Sequence, residues 1–331
     1  MDLDAYVAEH AGEWRRLEQL SRRRRLAADE ADELVALYQR AATHLSVVRS
    51  RSPDPTLVAR LSRLVLAGRS AITGGATFSW RGVGRFFTAT FPLAVYRGWA
   101  WWSAVAVGFS ALSFGIMGYT AAHPEFARAF MSDEDIAEVV DSAFVSYYSE
   151  HPAPNFALAV WTNNAFLSAQ CLASGILILP VLYLLWGNGL NVGLMGGIMI
   201  AHGRGDVFFT YITPHGLLEL TAIYVAAGFG LRIGWSWIAP GRDRTRTAAL
   251  AATAREAMLV ALGLVAVLLV SGFVEAFVTP SVLPPAVRIG IGVLVWLGFF
   301  GYVIVLGRRA ARAGVSTDLA EDERGAAVPT A

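Results

Sequence analysis

The sequence predicts an all-α, polytopic helical membrane protein with about six transmembrane helices and an N-terminal cytoplasmic helical region. Hydrophobic residues make up 55% of the 331 positions and charged residues only 16%, and the mean hydropathy is +0.48. Soluble domains carry about 25% charged residues. The apolar residues are grouped in long runs, and about 20 such residues are enough for a helix to cross a bilayer.

The charges are distributed unevenly along the chain. Residues 1–99 contain 15 arginines against 10 acidic residues, whereas residues 121–160 contain one arginine against seven acidic residues. Arginine-rich segments next to transmembrane helices stay in the cytoplasm. We therefore expect a multi-pass protein of the cell membrane with both termini in the cytoplasm and residues 121–160 on the other side.

Residues 1–77 are predicted to form the cytoplasmic helical region. Apolar residues recur every three, four or seven positions through residues 1–52, as in two amphipathic helices, and Asp54 with Pro55 starts a third helix. The run Arg22–Arg25 is interpreted as a solvated turn near anionic lipid headgroups. Because no aromatic residues interleave with it, we expect no nucleic-acid partner. The predicted core residues are Trp14, Leu17, Leu20, Leu34, Leu37, Tyr38, Leu45, Val48, Leu57, Leu61 and Leu64.

Residues 78–99 are predicted to form an interfacial amphipathic helix. The segment is rich in aromatic residues and contains Arg81, Arg85 and Arg97, a composition typical of a helix that lies on a membrane surface. The tryptophans that follow it suit the headgroup region. We expect the chain to turn into the bilayer at this point.

Six transmembrane spans are predicted within residues 100–307, and they enclose an acidic extracytoplasmic segment, 121–160. In this segment Ser132 and Asp135 have the spacing of a capping box, which marks the start of a helix. A tight turn is expected at Gly187–Asn191, and Pro214 is expected to begin the fourth span. Residues 308–331 are predicted to be a disordered cytoplasmic tail. The predicted spans cover residues 100–120, 163–186, 189–202, 214–237, 258–278 and 289–306.

Three glycines in the third predicted span recur every four residues. Gly189, Gly193 and Gly197 therefore lie on one face of a helix, and a glycine face lets another helix approach closely. We expect transmembrane helices to associate through these glycines. Such an association could also join two copies of the chain in a homodimer.

A cluster of polar side chains is predicted inside the apolar region. His215 and Glu219 are four residues apart, which places them on one face of a helix, and Glu275 is expected at a similar depth in the fifth span. Such side chains are costly to bury in a membrane unless they have polar partners. Amide side chains of the second span can provide them. The predicted cluster contains His215, Glu219, Glu275, Asn163, Asn164 and Gln170.

Three interpretations of this cluster are open from the sequence: a hydrogen-bonded clamp between helices, a water-filled or ion-binding cavity, and a catalytic or metal site. The chain lacks the zinc-peptidase helix motif, a Gly-x-Ser-x-Gly sequence and a phosphate-binding loop. We therefore expect no catalytic residue, no cofactor and no metal. If a metal is bound, the candidate ligands are His215, Glu219 and Glu275.

Four motifs occur in a recognisable order. Asn163-Asn164 opens one predicted span, Gly187-Asn188-Gly189 ends it, Pro214-His215-Gly216-x-x-Glu219 opens another, and Gly272-x-x-Glu275-Ala-Phe-Val-Thr-Pro280 closes a third. Over about residues 40–310 the chain resembles the stage II sporulation protein M family. The resemblance implies an integral membrane protein that helps to assemble a peptidoglycan-remodelling complex, whose partner enzymes carry the hydrolase activity. It transfers no catalytic residue.

Two functions of different classes fit these features. The first is a non-enzymatic membrane scaffold that organises a cell-envelope complex, in contact with the lipid bilayer, other membrane or cell-envelope proteins and a second copy of itself. The second is an ion or proton channel or transporter that uses His215, Glu219 and Glu275. An intramembrane metal-dependent hydrolase at the same three residues is a further alternative.

Overall fold

The structure is a computed structural model that describes residues 3–23, 26–51, 54–73, 79–146 and 153–317. All regular secondary structure in these residues is helical, which confirms the predicted all-α fold. The chain divides into two compact units between Gly82 and Val83. Each unit has its own hydrophobic core.

The first unit consists of three helices, α1 (Leu3–Ser21), α2 (Ala28–Arg51) and α3 (Pro55–Thr73). The residues predicted to form its core are all buried or packed against that core, because the apolar spacing puts them on one side of each helix. Helix α3 begins where expected, since the backbone N–H of Leu57 donates to Asp54 Oδ1 at 2.7 Å. Arg24 and Arg25 of the predicted arginine turn lie outside the described residues.

Two histidines face each other between α1 and α2. The rings of His10 and His44 stack with their centroids 4.0 Å apart, and Trp14 Nε1 donates to His44 Nδ1 at 3.2 Å. Burial lowers the pKa of His44 from its ordinary value of 6.5, and the charge that His10 can carry lowers it further. The stacked arrangement therefore favours the neutral form of His44.

The second unit begins with short helices that differ from the predicted interfacial helix. Helix α4 (Trp80–Arg85) leads through a π-helical turn, Phe86–Thr90, into α5 (Phe91–Arg97). Residues 91–95 are buried in the core of the unit. The correction has a steric cause: glycines on two later helices leave room for α5, and a Cβ at Gly263 would lie 2.0 Å from the ring of Phe91.

Six long helices complete the second unit. Five of them are long and apolar enough to cross a membrane, and α9 is long but does not reach that apolar content. The five are α6, α10, α11, α12 and α13, so the membrane fold is confirmed, whereas the second predicted span, 163–186, is divided between α9 and α10. The six helices are α6 (Trp99–Ala122), α9 (Ala153–Ala173), α10 (Leu179–Ala201), α11 (Gly205–Ile238), α12 (Arg246–Phe277) and α13 (Pro285–Arg312).

Helix α11 is the centre of this unit. It packs against α6, α9, α10, α12 and α13, and every residue from 221 to 230 is buried. The apolar side chains of this stretch therefore form the inside of the bundle rather than a lipid-facing surface.

Helix α10 is longer than the sequence predicted. The expected turn at Gly187–Asn191 is wrong, because these residues lie inside α10, and the chain instead breaks between α9 and α10 at residues 174–178. At this break a Cβ on Gly175 would lie 2.4 Å from Gly230 O of α11. The two backbones meet there, and a glycine is required at both positions.

Helix α11 also starts earlier than predicted. Pro214 lies inside it, nine residues after the first residue, Gly205. The added turns carry Phe208, which is buried against Ile198 and Met199 of α10. The burial of Phe208 offsets the loss of stability that comes from the backbone hydrogen bond that Pro214 cannot make.

Helix α13 continues through Arg308 to Arg312, into the predicted tail. Residues 318–331 of that tail lie outside the described residues.

The acidic segment forms short helices between α6 and α9. A 3₁₀ turn, Pro124–Ala129, is followed by α7 (Asp133–Glu138), a π-helical turn and α8 (Phe144–Ser146). The predicted capping box at Ser132 and Asp135 is confirmed, and its hydrogen bonds hold the pKa of Asp135 below its usual value. Residues 147–152 of the segment lie outside the described residues, and its last residues, from Ala153, belong to α9.

The glycines predicted to mediate helix packing all face α6. A Cβ on Gly193 would lie 2.7 Å from Ser113 O, and one on Gly197 would lie 2.5 Å from Thr120 Cβ; Gly189 is close to Leu112. The expected close approach is therefore made within the chain. Because α6 covers this face, a homodimer would have to use another surface.

We expect Gly193→Ala to lower the free energy of unfolding by about 1–3 kcal/mol, because its Cβ overlaps the α6 backbone. Gly187→Ala is the matched control: Gly187 lies in the same helix, and no atom lies within 4 Å of the position of its Cβ. Thermal unfolding of the two variants in detergent measures the difference. Equal stability of the two variants would contradict the close α6–α10 packing.

We also expect the first unit to lose stability as the pH falls from about 7 to about 5. In this range the unfolded chain protonates His44 at its ordinary pKa of 6.5, whereas the folded unit resists protonation. The unfolded state thus binds more protons, and acid favours it. Amide hydrogen exchange in α1 and α2, corrected for the intrinsic effect of pH, measures the loss. His44→Gln keeps an acceptor for Trp14 without titrating, so its protection should change less with pH.

Candidate functional site

The predicted polar residues of α11 and α12 meet near one end of these antiparallel helices. His215 and Glu219 are one turn apart on α11, and Ser271, Glu275 and Thr279 follow the same spacing along α12 and its C-terminal extension. The backbone N–H of Val278 donates to Val274 O at 2.9 Å, which continues the helical path one residue past Phe277. The two rows of side chains therefore face each other.

His215 is the residue around which these contacts are arranged. It is buried, and its Nδ1 lies 3.2 Å from Thr279 Oγ1. Its Nε2 lies 3.7 Å from Glu275 Oε1, which is too long for a hydrogen bond. Its backbone oxygen accepts a hydrogen bond from Ser271 Oγ at 3.0 Å. A proton on Nδ1 would be donated to Thr279 and would leave the Nε2 lone pair directed at the carboxylate.

Glu219 extends the site toward α9. It is half-buried, and its carboxylate lies near the side chain of Asn164. Asn164 Nδ2 also donates to Val160 O, at 3.1 Å, within its own helix. The structure thus brings four of the six predicted residues together: His215, Glu219, Glu275 and Asn164.

The other two predicted residues are not part of the cluster. Asn163 and Gln170 are both exposed, and Asn163 lines an open groove of about 630 Å³ on the surface of α9. The reason is helical geometry, because neighbouring residues point about 100° apart. The face of α9 that contains Asn164, Ser168 and Cys171 is the buried one.

Helix α13 closes the site from a third side. Arg288 Nη1 donates to Thr279 O at 2.6 Å, and its guanidinium lies 5.2 Å from the ring centre of Tyr211. A Cβ on Gly292 would lie 2.2 Å from Pro214 O, so α13 touches the backbone of α11 one residue before His215. The site is therefore held by close backbone packing as well as by hydrogen bonds.

Two carboxylates share this buried space. The ligand atoms of His215, Glu219 and Glu275 all lie within 4.8 Å of one another. Two negative charges this close in a region of low dielectric repel each other strongly, unless a proton or a cation compensates them. One imidazole nitrogen and two carboxylate oxygens can also serve as metal ligands.

The sequence reasoning missed Ser271, Thr279 and Arg288. The first two could have been found, because they lie four residues before and after Glu275 and therefore on its face of the helix. A half-buried ion pair at the other end of α11 and α12 was also missed: Arg232 Nη1 lies 2.9 Å from Glu256 Oε2. Polar contacts thus join these two helices at both ends.

The fold and the site define an all-α membrane protein whose buried polar side chains join neighbouring helices. The family model of stage II sporulation protein M matches residues 88–280. Because the match covers more than half of the 331 residues, the chain belongs to the stage II sporulation protein M family. The predicted family is confirmed, over a shorter stretch than residues 40–310.

The first unit matches a different family model, described as a domain of unknown function (DUF8413), over residues 4–74. An uncharacterized protein of Methanocaldococcus jannaschii is 24% identical over 159 residues, which are 47% of this chain and 88% of that relative. No solved structure matches the chain.

We expect Thr279→Val to lower the free energy of unfolding by about 1–3 kcal/mol, because it leaves a buried polar group of His215 without its partner. Thr162→Val is the matched control, since Thr162 is exposed and its hydroxyl donates to Leu158 O in its own helix. Thermal unfolding in detergent compares the two. If both variants were equally stable, the contact between Thr279 and His215 would not contribute to the fold.

Proposed function

We propose that this chain is an integral membrane scaffold that organises a cell-envelope protein complex of the peptidoglycan-remodelling type. Membership of the stage II sporulation protein M family supports this proposal. The proposal assigns no reaction to the chain itself: an enzymatic activity in the complex would belong to a partner. It includes self-association, through a surface other than the glycine face of α10.

The observation that carries the proposal is the acidic segment. Its apolar residues Ala127, Ile136 and Val140 pack against the ends of α6, α10 and α11, so the segment is anchored on the bundle. Six of its seven carboxylates lie in the described residues, and all six are exposed: Glu125, Asp133, Glu134, Asp135, Glu138 and Asp141. An anchored surface with this much charge of one sign suits the binding of basic partners.

We further propose that both termini are cytoplasmic and that the acidic segment is extracytoplasmic. The arginines at the start of α12 and the end of α13 support this orientation, because basic residues next to membrane spans stay in the cytoplasm. In this arrangement α9 crosses the membrane together with the five more apolar helices. The acidic segment then faces the compartment that contains the cell wall.

The buried polar site supports the scaffold indirectly. Contacts between α11, α12 and α13 at His215, Thr279 and Arg288 hold the helices in one arrangement. Each interhelical polar contact in a membrane contributes about 1 kcal/mol, so several together stabilise this arrangement of α11, α12 and α13. A scaffold needs such a fixed framework to present its binding surface.

A second candidate function is ion or proton transport. The observation in its favour is that three ionisable side chains lie within 4.8 Å of one another in apolar helices, an arrangement found along ion pathways. Flux in reconstituted vesicles that Glu219→Gln abolishes without unfolding the protein would support transport. Absence of flux under all tested gradients would leave the scaffold as the better explanation.

The scaffold is tested by purifying the tagged full chain from its native membranes in mild detergent. We expect envelope proteins to co-purify at a fixed ratio, and Glu134→Arg/Glu138→Arg to weaken their binding by about tenfold, or about 1.4 kcal/mol. The variant should fold normally because both carboxylates are exposed.

The matched control is Glu9→Arg/Asp32→Arg, which makes the same charge change at exposed residues of the first unit. Its complexes should remain intact. Recovery of the chain without partners, before and after crosslinking, would contradict the scaffold. Loss of partners in the control alone would contradict the role of the acidic segment. The mass of the purified complex tests self-association.

A further inference from the structure

Glu275 is a buried carboxylate whose contacts within the protein are incomplete. Its exposed fraction is 3%, and its Oε2 has no hydrogen-bond partner in the described part of the chain. Its Oε1 faces His215 Nε2 at 3.7 Å. Leaving a buried charged oxygen without a partner is strongly unfavourable, so either a proton or a cation compensates the charge at this site.

No arginine provides such a cation in the part of the chain that the structure describes. Within the described residues, no arginine nitrogen lies within 4.0 Å of a carboxylate oxygen of Glu219 or Glu275. The nearby Arg288 directs its Nη1 to the backbone oxygen of Thr279 instead. The two carboxylates thus share one site without an ion pair to arginine.

We propose that His215, Glu219 and Glu275 bind a divalent transition-metal ion of the zinc class. One imidazole nitrogen and two carboxylate oxygens are typical zinc ligands, and two ligand atoms on a tetrahedral zinc ion are about 3.3–3.6 Å apart when the metal bonds are about 2.0–2.2 Å long. The distance of 3.7 Å between His215 Nε2 and Glu275 Oε1 is close to this value. Small side-chain movements bring the third ligand, within 4.8 Å of both, into place.

The surroundings of His215 match those of a metal ligand. Histidines that bind metals generally direct their second ring nitrogen to a hydrogen-bond acceptor, which fixes the ring and aims the other nitrogen at the ion. Thr279 Oγ1 occupies this position, 3.2 Å from Nδ1. Arg288 in turn fixes the backbone of Thr279. Thr279 and Arg288 therefore hold the imidazole ring of His215 in the orientation that a metal ligand needs.

The choice of metal follows from the ligands. An imidazole ligand favours zinc and related transition metals, whereas calcium and magnesium prefer oxygen ligands alone. A divalent ion also balances the two carboxylates, so that the site with a neutral histidine has no net charge. Three protein ligands leave one tetrahedral position open.

A second group with the same ligand types lies in the first unit, but its atoms are already engaged. His10, Glu13 and His44 come within 4.8 Å of one another. However, Glu13 forms an ion pair with Arg40 at 2.7 Å, and His44 Nδ1 accepts from Trp14. The positive charge of Arg40 opposes a cation there, so this group serves as the internal control.

The test uses the full chain purified with a tag that contains no histidines. After metal is removed with a chelator, Zn²⁺ is titrated in, and bound metal is counted by mass spectrometry. We expect one tightly bound ion per chain, a higher melting temperature with Zn²⁺, and no displacement by excess Mg²⁺. Glu219→Gln and Glu275→Gln should each weaken Zn²⁺ binding by at least about tenfold and abolish the thermal shift.

His10→Ala is the matched control and should retain the tight ion. Both glutamine substitutions preserve side-chain shape, and if Glu275→Gln fails to fold, Glu219→Gln decides the question. The inference is overturned if the wild-type chain binds no Zn²⁺ tightly, or if the tight ion remains in the glutamine variants or is lost in His10→Ala. It does not depend on the scaffold, because co-purification of partners is measured separately.

Discussion

The structure depends on how two carboxylates and an imidazole are held between α11 and α12. Ionisable groups in apolar helices are tolerated only when other groups in the protein compensate them. His215 and Glu275 can meet only if the helices run side by side in one register, and Thr279 and Arg288 then bring the start of α13 to the same place. One constraint thus positions three consecutive helices.

Close backbone packing makes this arrangement possible. In a lipid environment apolar burial does not favour one helix pairing over another, so small residues and backbone contacts decide which helices meet. Gly292 lets α13 touch Pro214, Gly193 lets α10 touch α6, and Gly175 with Gly230 lets the α9–α10 connection touch α11. Neighbouring segments therefore reach the backbone of the central helix at Pro214 and at Gly230.

The first unit and the acidic segment do not depend on the buried polar cluster. The first unit is an ordinary amphipathic helical bundle with its own core and matches a separate family model. The acidic segment is anchored by a few apolar residues and leaves its carboxylates exposed. The proposed scaffold role rests on this anchored acidic surface.

The sequence alone determined the fold class, the family and the residues most costly to bury, because composition and the four-residue spacing of His215 and Glu219 depend only on local geometry. It also identified α3 and the capping box. The break between α9 and α10, the early start of α11 and the burial of α5 were decided by tertiary packing, since contacts with distant residues such as Gly230, Met199 and Gly263 overcome local turn and proline signals. The same holds for Asn163 and Gln170, whose exposure follows from the face that α9 turns to its neighbours.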